Sequence, residues 1–116
     1  MKEESAKVSR EYTIVLSGDL AARKMERDIL VELFSLASKT EEDIRSWNCI
    51  ADCVDMIEKL PASVSDIVFS RADVLNMKIG FKNSTTNLKA NYLIMRNDSW
   101  LKSAKNILKQ IASFEV

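Results

Sequence analysis

The segment that ends at Pro61 constrains the fold of this 116-residue chain more than any other. Thr40 is a typical N-cap, Asp43 completes a variant of the capping box, and Pro61 stops the helical path, so the pattern predicts a helix over residues 41–60. Apolar side chains cover roughly two thirds of its circumference. They are Ile44, Trp47, Cys49, Ile50, Ala51, Cys53, Val54, Met56, Ile57 and Leu60. So wide an apolar surface must be covered on more than one side, by the same chain or by another.

Two further helices are predicted from apolar residues that recur every three or four positions. The first covers about residues 20–38 behind Asp19 as N-cap, and the last covers about residues 98–114 behind Asn97 or Asp98. Their apolar stripes contain Ala22, Met25, Ile29, Leu30, Leu33, Phe34, Leu36 and Ala37 in the first, and Trp100, Ala104, Ile107, Leu108, Ile111 and Phe114 in the last.

Three segments have features of β-strands. A β-branched and aromatic run near residues 12–17 ends at a Ser-Gly turn, which predicts a strand. Apolar and polar residues alternate on both sides of the turn formers 83–87, so residues 74–96 are predicted to form an antiparallel hairpin. Residues 62–72 fit a strand or a helix, and Ile67-Val68-Phe69 favours a short strand.

This order of elements predicts an α+β fold, in which a small antiparallel sheet packs against three helices. The hairpin and the strand near 12–17 would form the sheet. An all-α bundle is the alternative if the apolar positions of the hairpin are helical. The length suits one globular domain over residues 11–116, and the polar residues 1–10 are expected to form a flexible N-terminal arm.

The chain lacks the residue types that most catalytic sites require. It has no histidine, which excludes Ser/His/Asp and Cys/His catalysis, and its two glycines cannot build a phosphate-binding loop. The candidates for carboxylate catalysis are Glu41, Glu42, Asp43, Asp52 and Asp55. The first three suit the first turn of the helix 41–60, where negative charge complements the helix dipole, and the other two lie on its solvated stripe. We therefore expect a protein that is not an enzyme, with no catalytic residues and no small-molecule cofactor.

The two cysteines, Cys49 and Cys53, are four residues apart on a predicted helix, which is poor geometry for a disulfide. Without histidine, the further ligands of a metal site would have to be carboxylates, which suit zinc less well beside thiolates. We expect reduced thiols that pack in the core, and no metal site.

The N-terminal residues are charged, and no apolar stretch of the length of a signal peptide or membrane span follows them. The expectation is a soluble intracellular protein, cytoplasmic or nuclear, with no membrane association.

The formal charge is zero overall but is unevenly distributed. Residues 1–60 carry 9 Lys+Arg against 13 Asp+Glu, a net −4, and residues 61–116 carry 8 against 4, a net +4. Such polarity can mark a basic binding face or an acidic-to-basic self-association surface, and it can also arise by chance. A nucleic-acid-binding protein is therefore the alternative function, and its candidate phosphate contacts are Lys78, Lys82, Lys89, Lys102, Lys105 and Lys109. No aromatic residue alternates with these lysines to stack bases.

The leading functional hypothesis is a non-enzymatic protein–protein interaction module, acting as a homodimer or as a small subunit of a complex. It depends on the wide apolar arc of the helix 41–60 and on the missing catalytic groups. The predicted interface is the edge of that arc formed by Cys49, Met56 and Leu60, because a core of this size has little material left to cover it.

Overall fold

A computed structural model describes residues 11–39, 44–95 and 98–116, with backbone only for 84–95. Within these ranges the order is β1 (Tyr12–Val15), α1 (Leu20–Ser38), α2 (Ile44–Lys59), β2 (Asp66–Phe69), α3 (Arg71–Met95) and α4 (Asp98–Ser113). A small two-stranded antiparallel sheet is combined with helices, so the predicted α+β class is confirmed. The predicted flexible arm, residues 1–10, lies outside the described residues.

The sheet pairs β1 with β2 in the register Tyr12↔Phe69, Thr13↔Val68, Ile14↔Ile67 and Val15↔Asp66. Burial alternates along both strands, because successive side chains of a strand point to opposite faces. The strand near 12–17 and the strand within 62–72 are therefore confirmed, and the all-α alternative is wrong.

The predicted hairpin over residues 74–96 is wrong, because Arg71–Met95 is one helix. A capping box starts it: the Ser70 N–H donates to Asp73 Oδ2 at 3.1 Å, and the Asp73 N–H donates to Ser70 Oγ at 3.2 Å. Val74 and Met77, three residues apart, are fully buried. The apolar residues of this segment fit both the repeat of a strand and the repeat of a helix. The cap and the packing on α1 favour the helix.

Helix α1 is the centre of the fold and packs against α2, α3 and α4. Asp19 caps it, since its Oδ2 accepts from the Ala22 N–H at 3.2 Å, as predicted. Its fully buried large apolar side chains are Ile29, Leu30, Leu33 and Phe34, and the ring of Phe34 lies 6.0 Å from that of Phe69 on β2. The helix therefore contributes Ile29, Leu30, Leu33, Phe34 and Ala37 to the core that joins the sheet to the other helices.

Two arginines of α1 hold the segment that connects α2 to β2. Arg27 Nη2 donates to the carbonyls of Ile57 at 2.8 Å and Leu60 at 2.6 Å, which adds a side-chain donor to carbonyls at the end of α2. Arg23 Nη1 donates to the carbonyl of Ala62 at 2.7 Å. These bonds fix the orientation of α2 on α1.

A buried carboxylate joins the turn after β1 to α4. Glu26 is fully buried, and it accepts from the Ser17 N–H at 2.7 Å, Ser17 Oγ at 2.6 Å and Asn106 Nδ2 at 2.6 Å. Such a network is stable only when the buried charge finds enough donors. It sets the position of α4 against α1.

The outer edge of β1 is paired by a side chain. Gln110 Oε1 accepts from the Val15 N–H at 2.8 Å, and Gln110 Nε2 donates to the Val15 carbonyl at 2.8 Å. The amide of Gln110 therefore bonds as a neighbouring strand would, and it caps a strand edge that could otherwise pair with another chain.

Candidate protein-interaction surfaces

The predicted interface edge is divided between solvent and core. Cys49 is exposed, whereas Met56 and Leu60 are half-buried and pack against the core cluster. The main chain of Leu60 is also held, because its carbonyl accepts from Arg27. The three residues therefore do not form one exposed surface, and only Cys49 is fully open to solvent.

A different apolar surface of α2 is exposed. Ile44, Trp47 and Ala51 are spaced i, i+3 and i+7, so they line one face of the helix, which we name the α2 stripe. Ile44 is 68% exposed and Trp47 is 48% exposed. The interface was predicted at another edge of the apolar arc, so this surface was not predicted from the sequence.

The orientation of α2 explains the exposure. Its buried residues are Ile50, Cys53 and Ile57, which repeat the same i, i+3, i+7 spacing on another face. A helix of a small domain buries one face. The hydrogen bonds from Arg27 to the end of α2 keep the face of Ile50, Cys53 and Ile57 turned towards the core. The sequence signal for an exposed apolar surface was the width of the apolar arc, which is greater than one core face requires.

Acidic side chains continue the surface of the α2 stripe. Asp52, Asp55 and Glu58 are exposed on the following turns of α2. Asp55 Oδ2 accepts from Lys59 Nζ at 2.9 Å, and this hydrogen bond and the charge of Asp55 raise the pKa of Lys59. The acidic residues Glu41, Glu42 and Asp43 precede the stripe in the sequence and lie outside the described residues.

Helix α3 exposes a second apolar surface with basic neighbours. Ala72, Leu75 and Ile79 are again spaced i, i+3 and i+7, and we name them the α3 stripe. Leu75 is 36% exposed and Ile79 is 39% exposed. Basic residues line the adjacent side of the helix, at positions i, i+7 and i+11: Arg71, Lys78 and Lys82.

The lysines of the alternative function lie on two helices. Lys78 and Lys82 are on α3, half-buried and exposed respectively, and Lys89 is on the part of α3 described by backbone only. Lys102, Lys105 and Lys109 are exposed along one face of α4. Lys78, Lys82 and Lys89 therefore lie on a helix and not on the predicted hairpin.

The two cysteines have different environments. Burial raises the pKa of Cys53 to about 12, and a hydrogen bond to Asp73 and its negative charge add to the effect. Cys49 is exposed, so the expectation of core packing is confirmed for Cys53 and wrong for Cys49. In the described ranges, no three Cys, Asp or Glu residues come together as ligands of a metal ion.

Two open clefts border α1. One of about 600 Å³ lies beside the end of α2 and is lined in part by Arg23 and Arg27, whose guanidinium groups already donate to carbonyls. The other, of about 550 Å³, lies between the turn after β1 and α4 and is lined in part by Ser17 and Asn106, which donate to Glu26. In both clefts these polar groups hold the fold together.

Comparisons of the chain with models of known protein families, with curated proteins and with solved structures each found no match. Over the described ranges, no helix combines the length and apolar composition needed to cross a membrane.

Proposed function

We propose that this protein is a non-enzymatic protein–protein interaction module that binds its partner through the α2 stripe. The exposure of Ile44 and Trp47, 68% and 48%, is the observation that carries the proposal. Apolar surface gains roughly 25 cal/mol per Å² when a partner removes it from water. Tryptophan is also enriched among the residues that dominate interface energies.

The support of α2 favours binding by a rigid surface. Another face of the helix is anchored in the core by Ile50, Cys53 and Ile57, and Arg27 holds the C-terminal end of the helix. An exposed apolar face on an anchored helix fits recognition of another helix or of a groove, and little conformational order has to be gained on binding.

The proposed module works as a homodimer or as a small subunit of a complex, without a cofactor or membrane attachment. We place it among soluble proteins of the cytoplasm or nucleus, where an exposed thiol such as Cys49 stays reduced.

The test is the variant Ile44→Glu in the full chain. Sedimentation velocity on the purified protein and a pull-down from host extract should both lose the assemblies that the natural chain forms, while the melting temperature stays unchanged because the new carboxylate reaches water. Leu20→Glu is the matched control, since Leu20 on α1 is 60% exposed. Assemblies of the natural chain that survive Ile44→Glu, or a natural chain that binds neither itself nor any other protein, would refute the proposal.

The second candidate function is nucleic-acid binding through α4. The observation that favours it is the row of exposed lysines at 102, 105 and 109, which could contact successive phosphates. The affinity for duplex DNA, single strands or RNA should then fall steeply as the salt concentration rises. In Lys105→Ala the affinity should fall less steeply with salt. A gel-shift at low salt without any bound species would remove this candidate.

A further inference from the structure

We propose that the partner of the α2 stripe is the α3 stripe of a second copy of this chain. The inference rests on the proposed function and names the partner that the exposed surfaces of α2 and α3 fit. It follows from their opposite charge, their equal spacing and their separation within one chain.

The charges around the two stripes are opposite. Residues 44–59 contain three acidic residues and two basic ones, a net −1, and Asp55 and Glu58 lie on the turns that follow the α2 stripe. Residues 71–83 contain three Lys or Arg and one acidic residue, Asp73, a net +2. Complementary charge speeds encounter and opposes pairing of like surfaces, so α2 against α3 is favoured over α2 against α2.

The apolar parts also match in length. Each stripe has three apolar side chains at i, i+3 and i+7, which spans about 10 Å along a helix axis. Each contains one alanine and two large side chains, so two helices can approach closely at the alanines. Packing one stripe on the other would cover large apolar side chains that α2 and residues 71–83 of α3 expose: Ile44, Trp47, Leu75 and Ile79.

One chain cannot make this contact by itself. Within the chain, α2 meets α3 through its buried face, where Cys53 lies beside Asp73 in the first turn of α3. The stripes lie on other faces of the two helices, so they meet only between copies. Because the two surfaces differ, the contact is heterologous, and each copy offers one of each.

The experiment uses charge reversal in the full chain. Arg71→Glu with Lys78→Glu should lower the self-association constant at least about tenfold by sedimentation equilibrium at low salt. High salt should also lower the self-association constant of the natural chain, because salt screens charges near the surface. The matched control is Lys105→Glu with Lys109→Glu, which makes the same charge change on α4 and should leave self-association unchanged.

A second variant repeats the test from the other side of the contact. Asp55→Lys with Glu58→Lys should also lose self-association, and mixing it with the Arg71→Glu, Lys78→Glu variant should restore a mixed complex. Circular dichroism melting confirms that each variant is folded.

The outcomes separate this inference from the proposed function. Self-association that survives both variants, or a mixture that fails to form the complex, would overturn the α2–α3 contact. A natural chain that stays monomeric but binds another protein in an Ile44-dependent way would overturn the contact and leave the proposed function standing.

Discussion

Gly80 on α3 lies directly against the main chain of Leu33 on α1. A methyl group added to Gly80 would overlap the carbonyl oxygen of Leu33 and would stand 2.7 Å from its carbonyl carbon. Because the neighbour is backbone, it cannot rotate away as a side chain could. The close packing of α3 on α1 at this point therefore depends on the absence of a side chain at Gly80.

Gly80→Ala should consequently destabilise the fold by roughly 3 kcal/mol or prevent folding, since the helices must separate to make room. Urea denaturation measures the free energy of unfolding. Gly18→Ala is the control, because no atom lies within 4 Å of a methyl group added there. Equal stability of the two variants would show that α1 and α3 do not pack this closely.

Glu26→Ala should cost roughly 2 to 4 kcal/mol of unfolding free energy. The substitution leaves the Ser17 N–H, the Ser17 hydroxyl and the Asn106 amide without their buried acceptor. Thermal and urea unfolding provide the measurement. Asp28→Ala, an exposed position of the same helix, should change stability by less than about 0.5 kcal/mol. A neutral effect of Glu26→Ala would contradict the described network.

Gln110→Ala should cost only about 1 kcal/mol, because water can replace its bonds at this exposed strand edge. The sharper readout is hydrogen exchange, since the Val15 N–H loses its protein acceptor and should exchange faster. Gln110→Glu keeps an acceptor for this N–H and should retain more protection. Unchanged exchange at Val15 in Gln110→Ala would refute the pairing of the strand edge by this side chain.

The thiols should differ in reactivity and in their effect on stability. In the folded protein at pH 8, a thiol reagent should modify Cys49 quickly and Cys53 only on unfolding, because Cys53 is buried. Burial raises the pKa of Cys53 to about 12 from 9.0. Its contribution to stability is therefore complete below pH 9.0 and is lost as pH rises towards 12, since the unfolded thiol ionises first.

The control for this pH dependence is Cys53→Ala, whose unfolding free energy should fall less steeply than that of the natural chain across the same window. The difference in slope is at most about 1.4 kcal/mol per pH unit. Identical slopes, or rapid labelling of both thiols in the folded state, would count against the buried position of Cys53.

Met56→Glu and Ile44→Glu should have opposite effects although both lie on α2. Met56 packs against the core, so a carboxylate there loses solvation and should lower the unfolding free energy by roughly 2 kcal/mol or more. Ile44 is exposed, so its variant should keep the stability of the natural chain. Chemical denaturation of both variants measures the two unfolding free energies to be compared. A destabilised Ile44→Glu with an unaffected Met56→Glu would reverse the assignment of the buried face.

Much of the fold could be read from the sequence. Asp19 and the apolar repeat over 20–38 predicted α1 at its observed bounds, and the β-branched run predicted β1. Both signals are local, because a cap bonds within one turn and a strand shows its alternation over a few residues.

The error over residues 74–96 arose where local signals conflict. Leu75, Met77, Ile79 and Phe81 alternate as in a strand, and the segment 83–87 is rich in turn formers. The signal for a helix was the pair Ser70 and Asp73, a capping box before the segment. Packing on α1 then decided between the strand repeat and the helix repeat. A short window of the sequence does not contain these long-range contacts.

By itself, the sequence determined the α+β class, the lack of histidine and the excess apolar surface of α2. The tertiary structure decided which part of that surface meets water. Ile50, Cys53 and Ile57 and the set Ile44, Trp47 and Ala51 have the same spacing and similar composition, so periodicity cannot choose between them. The choice came from contacts distant in sequence: Arg27 of α1 bonds to the end of α2 and, with the packing of the core, turns one set inward and leaves the other exposed.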